Sequence, residues 1–459
     1  MSFGEKILKY REDILKDLAE MVAIPSVRSA ALEGMPFGEE SARSLETILK
    51  IAGRLGLKTE NVGNYAGHAE YGDGGDVAAV VTHVDVVPAG DGWETDPFTM
   101  VKKGNLYYGR GTADDKGEAV VALYCLKALK DENITAKRRI RAIFGAGEET
   151  DSDDLERYLA AEEMPVMAFT PDAEYGICNR EKGMLRLSLA AKGNDSAVVR
   201  GFSAGTVINA VPAGAAAELA CTGEEISALK QAAQTAKGEF RFEPVPNGVR
   251  VVSSGKASHA MQPQLGFNAA THLVSLLARV FSAEKLGRFL SFVSEKIGTE
   301  FDGASLGVKQ SDKESGPLTL NAGLLHIDEN GASLGIDIRY PVLSDGDGIF
   351  SAISAQAAAF GLETTVLGSK KPLYLPESSP FITLLKDSYR AVTGGEATVY
   401  ATGGGTYARA FKGRAVAFGP FFPDEPDRRL HNSNENIDID RFMVHAQICL
   451  EAMYRMITE

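Results

Sequence analysis

The sequence predicts an α/β protein: a split domain with a mostly parallel sheet and helices on both faces, plus an inserted α+β lid domain. Three observations predict it. The first 180 residues alternate short continuous apolar runs, such as VAAVVT at 77–82, with stretches of helical spacing, which is the rhythm of βαβ units. From about residue 183 the strand-like segments alternate apolar with polar residues, as in a sheet with one solvated face. From about residue 376 the first style returns. The expected boundaries are 1–182 for the first part of the split domain, 183–372 for the lid and 373–459 for the second part.

Each element follows from local pattern. Residues 4–23 are spaced as an amphipathic helix that stops at Pro25, since proline cannot continue a helix interior. Residues 77–82 and 139–144 read as strands buried on both faces, 116–129 as a helix between them, and 165–170 as a third strand. Ser152 is placed to cap a short helix running to residue 161. In the lid, 185–190, 249–254 and 334–340 read as one-sided strands, and 211–219, 268–281 and 348–360 as helices. They form two strand–helix–strand units in series, meeting near residue 283. A helix at 381–392, a strand at 415–418, a polar loop and a helix at 439–456 complete the chain.

Composition narrows the function. The 459 residues carry 48 Lys plus Arg against 62 Asp plus Glu, a net charge of −14. That excludes nucleic acid as a partner, because such binding needs a basic face. Cys125, Cys178, Cys221 and Cys449 lie far apart, reading as buried thiols of a reducing compartment and not as a disulfide frame. The start lacks the apolar core of a signal peptide, and no run approaches the length of a membrane span. A cytoplasmic protein without a membrane partner is expected.

Several acids and histidines fall at predicted strand ends. THVD places His83 and Asp85 two residues apart, on one side of a strand, where the carboxylate can fix which imidazole nitrogen faces a metal. GRGTADDKG carries Asp114 and Asp115 just before a helix, and GAGEE carries Glu148 and Glu149 just after a strand. TPD places Asp172 after the third strand, and His431 lies in the late loop RLHNSNENI. Singly, each reads as a solvated turn or a locally satisfied side chain; Asp151, Asp153 and Asp154 beside GEE favour a solvated surface there. Together they converge on the carboxyl edge of the sheet, where open α/β folds bind ligands. Two histidines with carboxylates and no cysteine suit two divalent cations, zinc or manganese. The lid adds His259 in KASHA, Arg339 on the strand at 334–340, and Asn209 in NAVP, read as preceding a helix.

In order, HVD, GRGTADDKG, GEE, TPD, the ASHA segment with its following Pro263, Gly266 and NAA, and the H..NE loop resemble the co-catalytic zinc peptidases. That family spans glutamate carboxypeptidase, aminoacylase, succinyl-diaminopimelate desuccinylase and carnosine dipeptidase. The long insert, TGGGTYARAFKG and VAFGPFFPDEPD look like its dipeptidase V branch. The resemblance implies that the split domain is catalytic and holds one metal by His83 and Asp172 and the other by Glu149 and His431, with Asp114 bridging. It implies that Asp85 orients His83, Glu148 is the general base, and His259 polarises the scissile carbonyl. It gives Arg339, Asn209 and the loop Gly403, Gly404, Gly405 and Thr406 the substrate's C-terminal carboxylate. An Asp at position 172, where carboxypeptidases and deacylases of the family tend to have Glu, favours a dipeptidase. The expected reaction is hydrolysis of dipeptides (Xaa-Xaa or β-alanyl-Xaa) on closure of the lid. An N-acyl-amino-acid deacylase and a non-catalytic metal-dependent binding protein are the alternatives. Dimeric relatives borrow the lid histidine from a partner; the length of this insert implies a monomer that uses its own.

Overall fold

The computed structural model describes residues 2–150 and 153–459. The chain forms two compact units: Met1–Asn179 with Leu373–Tyr400 and Gly405–Glu459, and Arg180–Pro372 with Ala401–Gly404. Among the described residues, no helix is long and apolar enough to cross a membrane.

The first unit is built on a mixed sheet. Part of its order runs Lys58–Val62, Ala66–Tyr71, Arg139–Gly145, Val77–His83, Met167–Thr170 and Ala415–Phe418. The central pairings are parallel: Val77–His83 with both Arg139–Gly145 and Met167–Thr170, and the last of these with Ala415–Phe418. The outer pairings through Ala66–Tyr71 and Lys58–Val62 are antiparallel. The apolar run works as a two-faced strand does. Ala78 and Val80 enter one core with the helices Lys116–Asp131 and Ile439–Thr458. Ala79 and Val81 enter a second with Leu155, Tyr158, Tyr407 and Phe411. Helical cover on both faces thus follows from alternate residues of one uniformly apolar segment. The opening segment differs from expectation: it is a 3-10 stretch, Phe3–Tyr10, that leads into the α-helix Arg11–Val22. The short helix after GEE is Asp154–Ala161; the cap expected at Ser152 lies outside the described residues.

The second unit carries an antiparallel sheet in the order Glu239–Val245, Gly248–Ser254, Gly214–Ala220, Val199–Ala204, Thr319–Ile327, Gly331–Tyr340, Gly183–Lys192 and Glu363–Lys370. Strands from before and after residue 283 lie side by side in one continuous sheet, but not as the two expected strand–helix–strand units. The unit's first strand, Gly183–Lys192, crosses over to the later half. Helices Gly223–Ala233, Ala269–Ala278, Ala283–Phe292 and Gly346–Ala359 contribute to a core that takes Leu334, Ile336 and Ile338 from one face of their strand.

An expected helix is also absent here. Residues 211–219 are not helical; Gly214–Ala220 is an interior strand, and Asn209 precedes a strand. GAAAELA has the composition of a helix, but its burial alternates, with Ala215, Ala217 and Leu219 inside. Pairing on both edges decides the outcome over alanine's helical preference. The helix lies just beyond, at Gly223–Ala233. Its TGEE start forms a complete capping box, Thr222 receiving the Glu225 N–H and Glu225 the Thr222 N–H.

Candidate active site

Parallel pairing brings the strand ends to one edge. His83 ends its strand in register with Gly145, so GEE emerges beside it. Asp172 follows Met167–Thr170, and Asp114 lies two residues before Lys116–Asp131. His431 comes from the loop leading to Asn436–Asp438.

His83, Glu149 and His431 converge on Asp114, whose carboxylate is nearly buried. Nε2 of His83 lies 3.0 Å from one Asp114 oxygen, and Nε2 of His431 lies 3.0 Å from the other. The His431 Nε2 is also 3.1 Å from Oε2 of Glu149. Ligand atoms of His83, Asp114 and Glu149 lie within 4.8 Å of one another. A carboxylate presenting one oxygen to each of two imidazoles is the arrangement a bridging ligand would have. Nδ1 of His83 sits 3.1 Å from the Asp85 carbonyl oxygen and 3.4 Å from its Oδ1. Donation of Nδ1–H to Asp85 is the usual outer support of a metal-binding histidine. The Asp85 carboxylate has a second task. Its two oxygens accept the backbone N–H groups of Glu148 and Glu149, each at 3.1 Å.

Charge crowding shows in the protonation equilibria. Burial disfavours protonated His83, but hydrogen bonds from its ring to Asp114 and Asp85 win and raise it well above its ordinary value. Hydrogen bonds to Asp114 and Glu149 raise His431 to about 10. Burial pushes Asp172 up to about 8, with Asp114 and Glu149 adding to the rise and His83 opposing it. Burial also lifts Glu148 well above the carboxylate range, with Asp172 and Asp85 adding to it. Divalent cations fit the same donors: imidazole nitrogens and carboxylate oxygens without thiolate.

Several supporting residues escaped the sequence reading. Asp154 is buried, not solvated; it accepts the Gly147 N–H at 3.0 Å and the Tyr407 hydroxyl. Tyr407 in turn packs edge-on against the His83 ring. Gly145 is required there, because a Cβ would lie 1.9 Å from the Tyr407 hydroxyl. Asp115 is buried and accepts the His83 N–H at 3.0 Å. Glu435, also fully buried, accepts from Arg110, Gly111 and Ala113.

The remaining predicted residues are divided between the units. His259, Arg339, Asn209, Gly403 and Gly404 belong to the second; Gly405 and Thr406 belong to the first. His259 is exposed, and its Nδ1 accepts the Met261 N–H at 3.1 Å, which places the ring proton on Nε2. Partial burial, then the Arg339 charge, lowers its pKa. Arg339 is buried and forks onto Asp337, at 2.6 Å through Nε and 3.0 Å through Nη2, while Nη1 donates to the Gly403 carbonyl at 2.9 Å. Of the five guanidinium N–H bonds, three are engaged among the described residues.

The profile of Peptidase family M20/M25/M40 matches residues 79–455. "Putative dipeptidase YtjP" of Bacillus subtilis is 36% identical over 469 residues, covering 99% of this chain and 100% of that protein. A protein of the same description from Staphylococcus aureus, "Putative dipeptidase SAB1611c", is 34% identical over 468 residues, covering 99% of both chains. Among solved structures, human carnosine dipeptidase 1 aligns with a TM-score of 0.60 at 16% identity, over 99% of this chain and 98% of that one. Aminoacylhistidine dipeptidase from Vibrio alginolyticus aligns at 0.61 and 16% identity, over 97% of this chain and 96% of that one. Likeness at that identity concerns the fold.

Proposed function

The chain belongs to peptidase family M20/M25/M40 and is a metallopeptidase, and from that premise we propose that it hydrolyses dipeptides with a free C-terminal carboxylate, using two divalent cations. The observation that carries this reading is Asp114, with one oxygen on His83 and the other on His431 beside Glu149. His83 and Asp172 would hold one cation and Glu149 and His431 the other, zinc or manganese, with Asp114 between them. Bound there, the cations supply Lewis acidity and bring the pKa of water down towards about 7.

The chain's own residues do the rest. Glu148 accepts a proton from the attacking water and returns it to the leaving amine. That role is typically worth about 10²–10⁴ in rate. Asp85 holds that base and the neighbouring ligand through their backbone amides. His259, with its proton on Nε2, donates to the developing oxyanion; losing such a donor typically costs about 10²–10³. Arg339, aimed by Asp337 and Gly403, offers its remaining N–H bonds to the substrate carboxylate, alongside Asn209 and the Gly403, Gly404, Gly405 and Thr406 loop. Arginine suits this because its planar fork meets both carboxylate oxygens. The Asp at position 172 and the names of the full-length relatives favour dipeptides over N-acyl amino acids. We further propose a cytoplasmic monomer whose site uses its own His259. The two four-stranded halves of the second unit's sheet support the monomer.

The test is a substrate panel on chelated enzyme reloaded with Zn²⁺, Mn²⁺ or Co²⁺. Hydrolysis of Ala-Ala or β-alanyl-histidine well above N-acetyl and N-succinyl amino acids is the expected result. The reverse order would make the protein a deacylase, and no turnover with any metal would make it a binding protein.

A further inference from the structure

We propose that Glu435 is a positioning residue that sets the spacing of the two metal-binding loops, an inference that rests on the metal site proposed above. Its carboxylate is fully buried four residues after His431, and it is not needed as a ligand. One oxygen accepts the N–H groups of Gly111 at 3.0 Å and Ala113 at 2.9 Å; the other meets Nη1 of Arg110 at 2.5 Å. The Glu435 carbonyl oxygen also accepts the Gly109 N–H at 3.1 Å. Residues 109–113 are thus clasped from both ends of one glutamate, immediately before Asp114.

The clasp extends to a third loop. Nη2 of Arg110 lies 3.3 Å from the carbonyl oxygens of both Pro88 and Ala89, just beyond the His83–Asp85 segment, and the guanidinium packs over Trp93. One buried ion pair therefore joins the segments that carry His83, Asp114 and His431. The backbone is shaped for it. Gly111 has φ +84, and its N–H meets the carboxylate. Arg429, His431 and Asn434 also have positive φ. That conformation is uncommon for residues other than glycine, though less so for Asn and His, and Glu435 closes the loop that contains them.

Two requirements follow from charge and reach. The amides at 111 and 113 and the guanidinium at 110 are all donors, so a carboxylate satisfies them and a carboxamide puts an N–H₂ against one of them. A shorter acid cannot span both partners. The spacing of Asp114 and His431, and with it the affinity for the second cation, should depend on this one side chain. Loss of such outer support around a metal typically costs about 10–100-fold in metal affinity.

The test is metal titration by calorimetry, with Zn²⁺ and Mn²⁺ each alone, on chelated wild type, Glu435→Gln, Glu435→Asp and the double variant R110M/E435L. The double variant removes both buried charges, which is often neutral for folding, and so keeps the test open if a single variant does not fold. Circular dichroism at the titration temperature establishes which proteins are folded. The expected result is binding of at least one ion weakened by about 10-fold or more in every folded variant. A merely structural role would lower the melting temperature yet leave both affinities at wild-type values in the folded protein, and that result would overturn the proposal. A wild-type chain that binds no ions would overturn the metal reading, and with it this one.

Discussion

Replacing Asp85 with Asn is expected to weaken metal binding and turnover together. The side chain is almost wholly buried and faces three partners: the His83 ring and the backbone N–H groups of Glu148 and Glu149. Asparagine keeps one carbonyl oxygen, so one amide contact survives. The other becomes an N–H₂ pointing at an N–H, either at Glu148 or at Glu149. A hydrogen bond to a charged group contributes about 1.5–3 kcal/mol, which corresponds to about 10–150-fold if it appears in binding or in the barrier. The His83 imidazole also loses a negative charge beside Nδ1, which reduces its basicity as a ligand. Calorimetric titration of Zn²⁺ into the chelated variant, followed by kcat on Ala-Ala at saturating metal, separates the two effects. Weakened binding alone would assign Asp85 to His83; a fall in kcat at full occupancy would report a displaced Glu148. Wild-type values for both quantities would refute the reasoning.

Glu148→Ala should cut turnover by at least about 10² while metal content by mass spectrometry stays at two ions per chain; loss of both ions would assign Glu148 to the ligand set. Arg339→Lys should raise KM for free dipeptides far more than for their C-terminal amides, since an ammonium cannot reproduce the fork; equal losses would leave Arg339 as the partner of Asp337 alone. Light scattering should report a mass near 49.0 kDa, and a co-refolded mixture of Glu148→Ala and His259→Ala should stay inactive. Recovered activity would mean that one chain lends His259 to another.

Much of the fold could be read locally, and the exceptions have one cause. Val77–His83 and Ala415–Phe418 were legible because a strand buried on both faces reads as a near-continuous apolar run, and Arg139–Gly145 because its apolar residues outweigh Arg139 and Arg141, which pair with Glu70. Gly214–Ala220 was not, because alanine satisfies either structure and only pairing with Val199–Ala204 and Gly248–Ser254 selects the strand. The helix after it carried a readable signal in Thr222 and Glu225, hidden by the alanine run before it.

The candidate site divides along a similar line. His83, Asp114, Glu148, Glu149 and Asp172 could be found because each stands next to a strand end or helix start that the pattern reveals. Their supports could not, because an acid's burial depends on what arrives from elsewhere. Asp154 looks like one of several solvated acids until Tyr407, 253 residues later, covers it. Glu435 reads as part of a polar loop, although the Ala113 amide it receives lies 322 residues earlier. A residue that contributes its own chemistry is marked by its type and place in the chain. A residue that contributes by holding others is marked by its partners, which only the folded chain supplies. Asp85 belongs to both groups: its place beside His83 was legible, whereas its hold on the Glu148 and Glu149 amides was not. Mutating it should therefore disturb more of the chemistry than its spacing from His83 alone would imply.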